Sequence, residues 1–249
     1  MEYGHWVEEQ NRQTSELRAA LQAHVSDIEL RMLVESALSH YDNLFRIKAI
    51  AAKSDVFYLM SGMWKTAAER FFLWIGGFRP SELLKVLSPQ LDPLTEQQVI
   101  AVGNLQQSSQ QAEDALSQGM DKLQQNLAET LTSDSSGTSA VSDYMGQMVN
   151  AMGKLEALVS FVNQVTTMGY PYWQSGIVCL RMFTLELNYP FLMLMLLLQA
   201  DHLRQQTLQQ MYKILTVRQA ARGLLALGDY FQRLRALSSL WAARPREPA

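Results

Sequence analysis

Ser26/Glu29, Thr66/Glu69 and Thr95/Gln98 each set a hydroxyl residue three positions ahead of a glutamate or glutamine. In such a pair the hydroxyl accepts from the N–H three residues on, and the longer side chain reaches back to the N–H of the capping residue. Two backbone donors that a helix start leaves open are thereby satisfied. Each pair opens a run of helical period. Leu30, Leu33, Val34, Ala37, Leu38, Tyr41, Leu44 and Phe45 follow the first, and Phe71, Phe72, Leu73, Trp74 and Ile75 follow the second. Gly76-Gly77 then offers the left-handed backbone angles that end a helix. The third pair opens the longest run, to about Leu131, with a sparse stripe of Val99, Leu105, Ala112, Leu116, Met120, Leu123 and Leu127 in a Gln-rich face. Tyr3, Trp6, Val7, Leu17, Leu21 and Val25 give residues 1–25 the same period, Ser81–Leu87 forms a short helix between Pro80 and Pro89, and Val141–Gln164 is a further amphipathic helix. The pattern predicts an all-α fold, a multi-helix bundle of seven to nine helices in one domain over residues 1–249, with a linker at 133–139.

Composition narrows the function classes. Apolar residues make up 48% and Gly and Pro number 13 and 7, enough for a core and too few turns for a β sandwich. The net charge of −3 argues against binding nucleic acid over the whole surface. Met1–Trp6 lacks the basic and apolar regions of a secretory signal. The single cysteine, Cys179, permits no intramolecular disulfide and fits a reducing, intracellular compartment. His5, His24, His40 and His202 are dispersed, with no ligand spacing, and no nucleophile elbow, P-loop or dinucleotide fingerprint occurs. The expectation is a protein that is not an enzyme, with no catalytic residues, no metal and no cofactor. Charge is uneven: residues 200–249 carry +5 and residues 1–199 carry −8. A local docking surface and a solvated helix face both fit that split.

Residues 165–199 differ in kind. Their only charges are Arg181 and Glu186, and Gly169, Pro171, Gly176 and Pro190 forbid one continuous helix. Phe191–Leu198 is an unbroken apolar run, too short to span a bilayer. Joining Gln164 directly to Ala200 restores one stripe: Leu155, Leu158, Val162, Ala200, Leu203, Leu208, Met211 and Leu215. The segment reads as an irregular apolar insertion. It is 35 codons long and in frame, begins with Val (GT-) and ends with Gln (CAG is one codon), which fits a retained intron. Its apolar side chains, Phe191–Leu198 included, are expected to lie exposed, and its deletion is expected to keep the fold and raise solubility and thermal stability.

Five blocks carry a resemblance: residues 1–21, 55–87 (DVFYLMSGMWKTAAERFFLWIGGFRPSELLKVL), 93–131, 144–158 and 200–247. They resemble, in order, the C-terminal delay-of-germination domain of plant TGA-type bZIP transcription factors, and the block around Met63-Trp64-Lys65 is specific. The resemblance implies transcription regulation in the nucleus, with the cytoplasm as a second location, and a role in defence-related expression from TGACG elements. It implies dimerisation with other TGA factors and contact with a BTB–ankyrin coactivator of the salicylate response. Fatty acids, calmodulin and glutaredoxin are the further partners it suggests. The family reads DNA through a basic region and zipper ahead of this domain. This chain starts inside the first family block, so it is expected to lack that reader and to meet DNA only through a bZIP it does not itself contain. A helical lipid- or calmodulin-binding module outside transcription is the competing reading.

Two groups of residues are candidate sites. Trp64, Lys65, Arg70, Phe72, Trp74, Phe78 and Arg79 combine large apolar groups with cations, as a partner surface or an acyl chain with its carboxylate requires; packing of two short helices explains most of the aromatics equally. Arg218, Arg222, Arg233 and Arg235, with Phe231 and Trp241 as anchors, form a basic docking face or else an ordinary bundle helix.

Overall fold

The computed structural model describes residues 2–61, 73–133 and 189–243. Seven α-helices lie among them: α1 (Glu2–Gln22), α2 (Asp27–Ser54), α3 (Val56–Ser61), α4 (Pro80–Leu87), α5 (Glu96–Ser133), α6 (Tyr189–Ile214) and α7 (Val217–Ala243), with a 3₁₀ turn at Ser88–Gln90. The fold is all-α, and the only β pairing among the described residues is the isolated bridge Trp74/Gly77. No described helix is long and apolar enough to cross a membrane. The chain forms two compact units, Met1–Gln110 with Leu197–Ala249, and Gln111–Leu196.

Helix starts follow the local chemistry. The Glu29 N–H donates to Ser26 Oγ at 3.3 Å and the Ser26 N–H to Glu29 Oε2 at 3.1 Å. Thr95 and Gln98 repeat this at 3.2 and 3.0 Å. A third box, not singled out in the sequence, opens α7: the Gln219 N–H donates to Thr216 Oγ1 at 3.3 Å and the Thr216 N–H to Gln219 Oε1 at 2.9 Å. The two capping glutamines then bond each other through both amides, at 2.8 and 3.2 Å, and reach the carbonyls of Ile214 (3.0 Å) and Pro93 (2.7 Å). The starts of α5 and α7 are thus tied by one neutral lock. The box at Thr66/Glu69, linker residues 134–139 and the helix read at Val141–Gln164 lie outside the described residues, whereas Ser133 is the last residue of α5.

In the first unit, α1, α2 and α7 pack on one another, with α4 and the 3₁₀ turn on α7. Trp6, Leu17, Leu30, Val34, Tyr41, Phe45, Leu84, Leu87, Leu91, Leu208, Met211, Leu224 and Leu227 are buried there. Within α1 the buried Gln10 amide donates to the Tyr41 hydroxyl at 3.1 Å. Where α1 meets α7, a Cβ on Gly228 would stand 2.9 Å from Thr14 Oγ1, so the helices approach closely because that side chain is missing. In the second unit Ala112, Leu116, Met120, Leu123, Met193 and Leu196 are buried.

Three expectations need correction. Val99 is exposed and Val102 takes the inward position on α5, because the helix starts at Glu96 and its inner face runs through Val102 and Leu105. The irregular path expected for 165–199 does not extend to its end: residues 189–199 are helical and continuous with 200–214. Nor is the apolar run there fully exposed, since Met193, Leu196 and Leu197 are buried at 6%, 1% and 0%. Helical continuation places them on the same face as Ala200.

Candidate functional site

The described part of the aromatic block is a tight turn. Trp74 and Gly77 exchange backbone hydrogen bonds at 2.7 and 3.0 Å. The two residues between them both have positive φ, Ile75 at 40° and Gly76 at 70°. A two-residue loop of this hand suits Asn-Gly or Gly-Gly. Here a β-branched residue takes the first left-handed position, where it is sterically disfavoured. Gly77 was expected to share the left-handed role and does not. Its value is space: a Cβ on it would lie 2.8 Å from the Arg204 Cζ.

Arg204 holds the turn in that shape. Its side chain is fully buried. Nε donates to the Phe78 carbonyl at 2.8 Å, and Nη2 donates to the carbonyls of Trp74 and Ile75, the latter at 3.0 Å. Its guanidinium also lies 5.2 Å from the Trp74 ring centroid and 5.7 Å from that of Phe78. A buried cation requires a counter-charge. Asp201, one turn earlier on α6, supplies it: Oδ1 accepts from Arg204 Nη1 at 2.6 Å and from Lys48 Nζ on α2 at 2.5 Å. Burial pushes the Lys48 ammonium down to about 8, while the Asp201 charge pulls the other way. Asp201 Oδ2 is buried with no hydrogen-bond partner among the described residues. Leu197, a further turn back, packs on Gly76, where a Cβ would meet Leu197 Cδ1 at 2.7 Å. Positions 197, 201 and 204 share one helix face, and that face closes the turn.

The turn carries Arg79 outward. Arg79 is exposed, caps α4 without a side-chain hydrogen bond, and lays its guanidinium 5.6 Å from the Trp74 ring centroid. Of the first candidate group the structure therefore brings together Trp74, Phe78 and Arg79, whereas Trp64, Lys65, Arg70 and Phe72 lie outside the described residues. Trp74 is 7% exposed and Phe78 packs on Phe231 at 5.6 Å, so these two serve the core and Arg79 is the accessible member.

The arginines of α7 do not form one free docking face. Arg218 pairs with Asp27 at 3.0 Å and donates to the Val25 carbonyl at 3.0 Å, and Arg222 donates to the Asp92 carbonyl at 2.8 Å. Arg233 is exposed and Arg235 half-buried, and the helical period sets Arg235 about 100° to 160° away from the other three. No group of three or more His, Cys, Asp or Glu among the described residues is arranged to hold a metal ion.

Sequence reasoning missed Lys48, Asp201 and Arg204. The signal was present: Asp201 and Arg204 fall on the inner stripe with Ala200, Leu208 and Met211, whereas Leu203, read as a member of that stripe, is only half-buried. Charges on a buried stripe mark a paired cluster.

Residues 13–89 match the DOG1 family, described as seed dormancy control. The chain is 62% identical over 248 residues to transcription factor TGA4 of Arabidopsis thaliana, with all of this chain and 58% of that protein aligned. It is 59% identical over 248 residues to TGA1 of the same plant, with 57% of that protein covered. Transcription factor TGA2.2 of Oryza sativa subsp. japonica is 56% identical over 252 residues, 99% of this chain and 65% of that protein. The chain thus spans about three-fifths of the length of the curated relatives it matches, and it corresponds to their C-terminal region.

Proposed function

Because the chain belongs to the TGA transcription-factor family of plants, we propose that it regulates transcription through partner binding by this helical region. The observation that carries the reading is the alignment of the whole chain, at 62% identity, with a protein named as a transcription factor. The nucleus is the location that goes with it, with the cytoplasm as a second site. The partners we assign are other TGA factors, through dimerisation, and a BTB–ankyrin coactivator of the salicylate response, in control of TGACG-element, defence-related genes.

Arg79 is the contact residue we favour, with a carboxylate of the coactivator as its counterpart. It is a cation held at the surface on a turn of fixed shape, and no internal acid neutralises it among the described contacts. A fatty-acyl ligand at the same block would use Arg79 for its carboxylate. A calmodulin-like partner on α7 is disfavoured, since Arg218, Arg222 and Phe231 are engaged internally. Glutaredoxin would have only Cys179 to act on.

Immobilised chain should retain a purified full-length TGA factor and the coactivator. Arg79→Ala should weaken the coactivator by about tenfold, as loss of a charged anchor does, and Lys85→Ala should not. By itself this 249-residue chain should give no shift of a TGACG probe at physiological salt. Failure to hold either protein would overturn the proposal.

A further inference from the structure

Helix α6 runs without a break through Gln199 and Ala200, the point where the apolar segment 165–199 ends. Upstream of that point its buried positions are Met193, Leu196, Leu197 and Gln199, and its half-buried ones are Leu194, Met195 and Leu198. Downstream come Ala200, Asp201 and Arg204, all buried. The chain 35 residues earlier repeats this pattern. If residues 165–199 are removed and Gln164 joins Ala200, Leu158 falls in the place of Met193, Phe161 in that of Leu196, Val162 in that of Leu197 and Gln164 in that of Gln199. Each buried apolar position receives an apolar residue, and the buried glutamine receives a glutamine. Two of the three half-buried positions receive the polar residues Ser160 and Asn163. The match is one of register, which a helix reads strictly, since a shift of one residue turns every side chain by about 100°.

We propose that residues 158–164 and 193–199 are interchangeable lead-ins to helix α6, and that 165–199 is a cassette whose last two turns rebuild the helix face it displaces. With or without the cassette, an apolar side chain stands on Gly76, and Asp201 and Arg204 keep their places on Lys48 and on the Trp74, Ile75 and Phe78 carbonyls. The gene product then tolerates the segment because its exit is in register, and both forms present the same Arg79 turn. The proposal concerns the fold alone and stands apart from the assignment to transcription.

Register provides the test. The chain deleted of 165–199 should melt cooperatively within about 5 °C of the full chain and keep slow amide exchange over 200–214. A deletion of 165–198, one residue different, puts Asn163 in the place of Leu197. It should melt at least about 10 °C lower or fail to fold. In the shorter chain Val162→Asp should do the same damage that Leu197→Asp does in the full chain. Equal melting of the two deletions would overturn the proposal, as would loss of the fold on removing 165–199 or a Val162→Asp variant of the shorter chain that melts unchanged.

Discussion

Two junctions in the first unit solve the same problem with different chemistry. At both, a connection between helices leaves backbone carbonyls to be satisfied, and a long side chain from elsewhere in the sequence reaches them. Between α5 and α7 the groups are neutral: Gln98 and Gln219 cap their own helices, bond each other and take the Ile214 and Pro93 carbonyls. At the 74–78 turn the group is a guanidinium, and it brings with it a buried carboxylate and a second cation. The neutral lock loses little when one bond is lost, because no charge is stranded. The ionic clamp is an all-or-none arrangement: each of its members is tolerable inside only while the others are there.

The largest break of that contrast is Asp201→Ala. It strands Lys48 and Arg204 together, and urea unfolding should show a loss of about 3–5 kcal/mol. Gly77→Ala comes next. Its Cβ would displace the guanidinium it meets at 2.8 Å, and the expected cost is about 1–3 kcal/mol, with the Trp74 fluorescence environment altered as the turn reshapes. In the neutral lock, Gln219→Ala removes a helix cap and its bonds to Gln98 and Pro93, yet should cost only about 1–2 kcal/mol by the same unfolding measurement. If Gln219→Ala proved the more damaging, the contrast would be wrong.

Titration sharpens the comparison with a smaller effect. Burial holds the folded-state pKa of Lys48 at about 8, below its ordinary value of 10.5. The folded chain therefore binds this proton less readily than the unfolded one, and stability rises with pH above about 8. Tyr41 and Tyr212 act oppositely: burial raises both, so their contribution is complete below about 10 and is lost above it. The urea midpoint should thus rise between pH 8 and 9.5 in the parent chain. In Lys48→Met the rise should vanish, while Gln219→Ala should keep it.

The same two junctions show what the sequence made legible. Capping boxes are local, so Ser26/Glu29 and Thr95/Gln98 stand out from spacing alone; Thr216/Gln219 has the identical spacing and was overlooked among the charges of the basic C-terminal stretch. The clamp is not local. Asp201 and Lys48 are 153 residues apart, and a period argument can place Arg204 on an inner face without saying what neutralises it. Distance in sequence likewise hides the partners of the α7 arginines, since Arg218 bonds Asp27 and the Val25 carbonyl and Arg222 the Asp92 carbonyl. The Gly76-Gly77 pair announced a turn correctly. That Ile75 rather than Gly77 would carry the second left-handed angle is a result of closure by Arg204 and has no local signature.

A guanidinium stays protonated across every pH that a cell reaches. The loop under Arg79 is accordingly set before any partner arrives, and docking there costs no ordering of that loop. If Arg79 makes the proposed coactivator contact, that recognition is lock-and-key in character. Loosening the mount through Gly77 or Asp201 would shorten the lifetime of a complex far more than it would slow the first encounter.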